Sequence, residues 1–171
     1  FSGLNNLEDI TLNATYSSLC GYTENDLNEV FSPELAGLDR EKLRRWYNGY
    51  LWSGTERLYN PFSILTLMKQ RRFANYWWET RTPTFLIKKL RKEFHYNLNN
   101  LVAGQVMFES FTIDDLNWLA LLFQTGYLTL ESYDERFQTY HLRYPNHEVR
   151  FSLQQYLLNA YRDTLSGNAL A

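Results

Sequence analysis

Cysteine occurs once in the 171 residues, proline four times, glycine eight times, methionine twice and histidine three times. The single thiol, Cys20, allows no internal disulfide and no thiolate cluster for zinc. Flanked by Leu19 and Gly21, it reads as a small buried hydrophobe. His95, His141 and His147 show no metal-ligand spacing, so they read as structural or surface side chains. Long apolar runs are missing as well. The longest mainly apolar stretch, Leu116 to Phe123, contains Asn117 and ends at Gln124, far short of the ~20 residues of a membrane-spanning helix. Nothing at the start has the pattern of a signal peptide. No membrane association and a cytoplasmic setting are the expectation. No Gly-Lys pair is present, which excludes a phosphate-cradling P-loop within this sequence, and no apolar run ends in paired acids that could hold magnesium. No Gly-x-Ser-x-Gly elbow occurs either.

Aromatic residues are abundant, at 17% of the chain, and 44% of residues are hydrophobic, enough to bury a core and the opposite of a disordered composition. The opening Phe1-Ser2-Gly3-Leu4-Asn5-Asn6, without a methionine, suggests a piece of a longer protein. The net charge of −2 conceals a strong asymmetry: residues 1–39 carry −7, residues 40–92 carry +10 and residues 93–171 carry −5. Such a surplus can attract an anion, or it can form a solvated helical face.

Local signals predict a mainly α chain with a small β component, an α+β fold. Thr23, followed by Glu24 and Asp26, caps a helix through Leu27, Val30 and Phe31 that Ser32-Pro33 ends. Asp39 starts a second helix, with Leu43 and Trp46 three apart, which Gly49 closes. Tyr50-Leu51-Trp52 and Arg57-Leu58-Tyr59, joined through Gly54, read as a hairpin. Asn60-Pro61 opens a helix whose spacing puts Phe62, Leu65 and either Met68 or Lys69 on one face, and which ends in the basic cluster Lys69, Arg71 and Arg72. Thr82-Pro83 repeats that signal for an amphipathic helix with Lys88, Lys89, Arg91 and Lys92 on its exposed side. Leu7 to Leu12 alternates weakly, as a stretch that finishes or follows a strand.

The last third reads helix, strand, turn, strand, helix. Thr112 caps a helix with Asp114 and Asp115 in its first turn, where the helix dipole explains them better than catalysis does; Gly126 stops it. Strands follow over 127–133 and 138–144, and Pro145-Asn146 opens a helix through Val149, Leu153 and Leu157, with Ser166-Gly167-Asn168 as a frayed tail. A helix running into a two-stranded ribbon predicts a winged-helix-like module over 100–171. It follows a helical region over 1–99, with a boundary between Asn97 and Gly104. The aromatic groups Trp46, Tyr47, Tyr50, Trp52 and Tyr76-Trp77-Trp78 suit core packing; beside arginines they could also stack on bases.

The strings FSGLNNLEDITL, LCGYTENDL, WYNGYLW, LYNPFSIL, NYWWETRTPTFL, LLFQTGYLTL and YHLRYPNHEVRFSL resemble, in order and spacing, the C-terminal portion of the predicted AAA-ATPase-like family, whose bacterial members often carry a PD-(D/E)XK-type nuclease domain. The likeness covers nearly the whole chain. One departure is Arg81, where the family usually has glycine. The resemblance implies an ATPase lid followed by a winged helix, with the ATP- and magnesium-binding core in a missing N-terminal part and a nuclease as a downstream partner. It further implies that a lid arginine touches nucleotide phosphates, with Arg44, Arg45, Arg71 and Arg72 as candidates. No cofactor and no catalytic residue is expected in this chain alone. The alternative is a nucleic-acid-binding module working through the basic region 40–92, with Lys88, Lys89, Arg91 and Lys92 as contacts. The predicted helix before the hairpin, with two acids and no Lys or Arg from Ile113 to Phe123, argues against phosphate contact there.

Overall fold

Helices in this chain begin at short polar side chains that accept a backbone N–H, as seen in the computed structural model, which describes residues 10–77, 101–104 and 117–168. Thr23 opens α1 (Glu24–Glu29) with a reciprocal capping box: its hydroxyl accepts from the Asp26 N–H while the Asp26 carboxylate accepts from the Thr23 N–H at 2.7 Å. Asp39 caps α2 (Arg40–Tyr47), and Asn60 caps α3 (Pro61–Gln70), with Pro61 at a position where no N–H is needed. Leu43 and Tyr47 are the buried face of α2.

The chain passes from α2 directly into β1 (Asn48–Tyr50), so Gly49 does not terminate a helix as expected. It lies inside the strand at φ 134°, where an added Cβ would come within 1.9 Å of the Pro145 carbonyl oxygen. Close backbone approach, rather than helix termination, selects glycine there. β1 pairs antiparallel with β2 (Leu58–Tyr59), and Tyr59 also bridges to Tyr22. The expected hairpin is therefore real, but its first strand is displaced toward the N-terminus. Residues 10–12 lie in a turn, and the rest of the Leu7 to Leu12 stretch lies outside the described residues.

On α3 the expected apolar face is corrected. Phe62 and Leu65 are exposed, while Ser63, Ile64 and Leu67 point inward. Ile64 and Leu67 join Leu27, Leu35, Leu43, Tyr47, Tyr59 and Tyr76 in one buried cluster, and that packing sets the rotation of the helix. The predicted helix after Thr82-Pro83 lies outside the described residues.

The second part is built on a three-stranded antiparallel sheet. β3 (Leu101–Gly104) and β4 (Thr129–Asp134) flank β5 (Thr139–Arg143), giving the order β3-β5-β4. Leu142 lies opposite both Leu101 and Leu130. β3 falls inside the stretch read as a linker. Its four residues carry no strong strand pattern of their own, and pairing with β5 supplies the order. Ahead of the hairpin, α4 (Trp118–Gln124) starts at Asn117, whose side chain accepts from the Leu119 N–H; the expected cap Thr112, with Asp114 and Asp115, lies outside the described residues. α5 (His147–Asn168) follows Asn146, which accepts from the Val149 N–H at 3.0 Å, and the helix runs through the segment read as a frayed tail. Leu119, Leu122, Phe123, Leu128, Leu130, Leu142, Val149 and Leu153 form a second buried cluster, which also takes in Tyr50, Leu51 and Leu58.

Candidate functional site

The two parts meet along a seam of buried polar contacts. The Thr129 hydroxyl accepts from the Leu51 N–H at 2.6 Å and donates to the Leu51 carbonyl at 2.9 Å, while the Leu130 N–H donates to that same carbonyl. Arg57 donates to the Gly49 carbonyl and reaches the Leu130 carbonyl, so the first hairpin is tied to the edge of β4.

Beside this seam stands Glu148, fully buried in the first turn of α5. Its Oε1 accepts from the backbone N–H groups of Tyr76 at 2.6 Å and Trp77 at 2.9 Å, and its Oε2 lies 2.7 Å from the Ser63 hydroxyl. One carboxyl group thus holds α3, the segment 76–77 and α5 together. Burial raises its pKa above the ordinary carboxylate value, and the hydrogen bonds from Ser63, Trp77 and Tyr76 offset part of that rise. In the sequence Glu148 looks like any acid at a helix N-terminus; the one faint signal is that Ser152, one turn on, is also small and polar beside an apolar stripe.

A cleft of about 160 Å³ is lined by Cys20, Tyr50, Trp52, Asn60, Trp77 and Gln124. Cys20 is exposed here, contrary to the expectation of burial, because the turn after residue 16 lies on the surface and the thiol borders the cleft instead of the core. The aromatic groups pack as anchors: Tyr47, Tyr50 and Tyr76 are buried, Trp52 stands edge-on to Phe123 and Trp77 edge-on to Tyr127. Burial pushes the phenol pKa of Tyr47, Tyr50 and Tyr59 upward, and that of Tyr144 to about 12.

The four candidate arginines fall into two classes. Arg44 pairs with Glu24 at 3.0 Å and with Glu41. Burial works against ionisation of Glu24, but hydrogen bonds from Arg44 and Tyr59 hold its pKa below the usual value. Arg71 takes the left-handed position ending α3, at φ 55°, and its guanidinium donates to the Glu34 and Ala36 carbonyls, closing the turn before α2. Both are committed to the fold. The side chains of Arg45 and Arg72 are exposed and have no hydrogen bond or ion pair with another described residue. Lys88, Lys89, Arg91 and Lys92 lie outside the described residues. Among the described residues no group of three or more His, Cys, Asp or Glu side chains is placed to hold a metal ion, and no helix is long and apolar enough to cross a membrane.

No sequence family and no solved structure matches the chain. A protein of Azotobacter chroococcum mcd 1, described as "Uncharacterized protein in vnfD 5'region", is 49% identical over 165 residues, covering 94% of this chain and 32% of that protein. The chain therefore spans about a third of the length of this curated relative.

Proposed function

We propose that this chain is the lid and winged-helix portion of a longer AAA-like ATPase, not catalytic on its own, which couples the state of a nucleotide bound elsewhere to a partner. The observation that carries this reading is the sheet order β3-β5-β4, with α4 leading straight into the β4-β5 hairpin. A strand placed before the helix and paired with the second hairpin strand is the arrangement of a winged helix. The sequence of α4, Trp-Leu-Ala-Leu-Leu-Phe-Gln, has no cation, and Leu119, Ala120, Leu122 and Phe123 are buried. That favours a module which transmits or docks over one whose α4 reads DNA. The seam through Leu51, Thr129 and Arg57 supports mechanical coupling of the helical part to the wing.

In this reading the chain contributes an arginine, and not a phosphate loop or magnesium ligand, to the nucleotide. Arg45 and Arg72 suit that role because their guanidinium groups have no hydrogen bond or ion pair among the described residues, whereas Arg44 and Arg71 brace the fold. The test is ATP turnover by the full-length protein. Arg45→Ala or Arg72→Ala lowers turnover by roughly tenfold or more, as expected when a cation stabilising transferring phosphate is lost. The isolated chain shows no turnover. A full-length protein without ATPase activity, or one indifferent to both substitutions, overturns the proposal.

A further inference from the structure

A strip of rings crosses the outer face where α2, the segment after α3 and the start of α5 come together. The Phe73 and Trp46 ring centroids are 6.5 Å apart, those of Trp46 and His147 4.7 Å, and those of His147 and Phe151 6.2 Å. His147 is exposed, and Phe151 is 44% exposed, whereas Val149, Leu153 and Leu157 of the same helix are buried. Cations stand on the same segments as the rings. The Lys42 ammonium stands 4.7 Å over the Phe73 ring. Arg45 follows Lys42 by three positions on α2, Arg72 precedes Phe73, and Arg150 lies between His147 and Phe151 on α5; all three arginines are exposed. The acids nearest in sequence are spoken for: Glu148 is buried on Ser63 and on two backbone N–H groups, Glu41 pairs with Arg44, and Asp39 caps α2.

We propose that this strip binds single-stranded nucleic acid, with Phe151 as a base-stacking platform and Lys42, Arg45, Arg72 and Arg150 as phosphate contacts. Charge complementarity selects a polyanion, and the interleaved ring faces select one that carries planar bases rather than an acidic peptide. The surface differs from the basic helix expected from the sequence, since it depends on α5, which lies outside the region 40–92. The strip shares Arg45 and Arg72 with the proposed nucleotide contact, but the deciding residues, Arg150 and Phe151, take no part in that contact, so the oligonucleotide titration and the ATP turnover assay fail independently.

The experiment is fluorescence anisotropy of a labelled oligothymidylate titrated with the chain at several salt concentrations. Four neutralised phosphates give a slope of log affinity against log salt of about −3, and Arg150→Ala reduces its magnitude by about 0.7. Phe151→Ala weakens binding by about fivefold or more with the slope unchanged, while Phe151→Trp retains it. Both side chains are exposed, so unchanged circular dichroism accompanies the loss. No binding, a slope shallower than −1, indifference to Phe151→Ala, or equal affinity for polyphosphate of matched charge overturns the proposal. A change in light scattering caused by Phe151→Ala in the absence of oligonucleotide assigns the strip to self-association instead, and likewise overturns it.

Discussion

Glu148 has an acid's sequence and a core residue's surroundings. Burial penalises the charged form of this carboxyl group, and the geometry also admits the neutral form. Protonated on Oε2, it donates to the Ser63 oxygen 2.7 Å away while Oε1 continues to accept from Tyr76 and Trp77. Glutamine can reproduce this pattern and alanine cannot. Glu148→Ala strands two backbone N–H groups and a hydroxyl, at about 1 kcal/mol or more each, so urea titration should show a loss of about 3 kcal/mol or more. Glu148→Gln should cost less than about 1 kcal/mol at acidic pH. The pH dependence follows from the raised pKa. The folded state binds this proton where the unfolded state has released it, so the contribution is complete below the unfolded value of 4.5 and is lost as pH rises through the folded one. Stability of the wild type relative to Glu148→Gln should therefore improve as pH is lowered from neutrality toward about 4.5. Glu24 and Asp26, whose lowered pKa values act in the opposite direction, are common to both proteins and cancel. A pH-independent difference would contradict the assignment. Arg44 and Arg71 make the same point about context: their charge was legible, their engagement with Glu24 and with the 34–36 backbone was not, because partners 20 and 35 to 37 positions away are invisible to local pattern.

At the level of elements, caps and turns were the legible features, since both rest on contacts between residues a few positions apart. Thr23, Asp39, Asn60 and Asn146 each start the helix assigned to them. Gly49 and Gly54 look alike in sequence, and both were read as punctuation; the structure separates them. At Gly54 φ is 69° and nothing lies within 4 Å of an added Cβ, whereas at Gly49 the Pro145 backbone occupies the place of the Cβ. Gly54→Ala should cost about 1 kcal/mol, the ordinary penalty of left-handed backbone. Gly49→Ala should exceed about 4 kcal/mol, because neither the strand nor the 145–146 turn can yield without breaking the seam. Thermal unfolding of the two variants checks the contrast, and equal effects would refute it. The rotation of α3 escaped the sequence for a related reason. Phe62-Ser63-Ile64-Leu65 offers apolar residues on neighbouring faces, and only the partners Leu43, Tyr47 and Tyr76 decide which face is buried.

For the whole molecule, the informative feature is that the buried clusters do not respect the boundary expected near Asn97 to Gly104. Tyr50, Leu51 and Leu58 from the first hairpin share a core with α4, the sheet and α5, while Glu148 from α5 reaches α3 and the backbone at 76–77. Shared burial makes the two parts energetically interdependent. Denaturation followed by tryptophan fluorescence and by far-ultraviolet circular dichroism should give coincident single transitions. Two separated transitions would show that the parts fold independently. Interdependence also bears on the proposed function, which requires the two parts to move together.

Composition and short-range spacing were enough to specify the starts of α1, α2, α3 and α5, the hairpin turns, the α+β character and the concentration of positive charge, because propensity, capping and charge act within a few residues. The faces that are buried, the order β3-β5-β4, the enclosure of Glu148 and the alignment of Phe73, Trp46, His147 and Phe151 were decided by packing between segments far apart in the chain. Burial and long-range pairing depend on which surfaces meet, and local sequence does not encode that meeting.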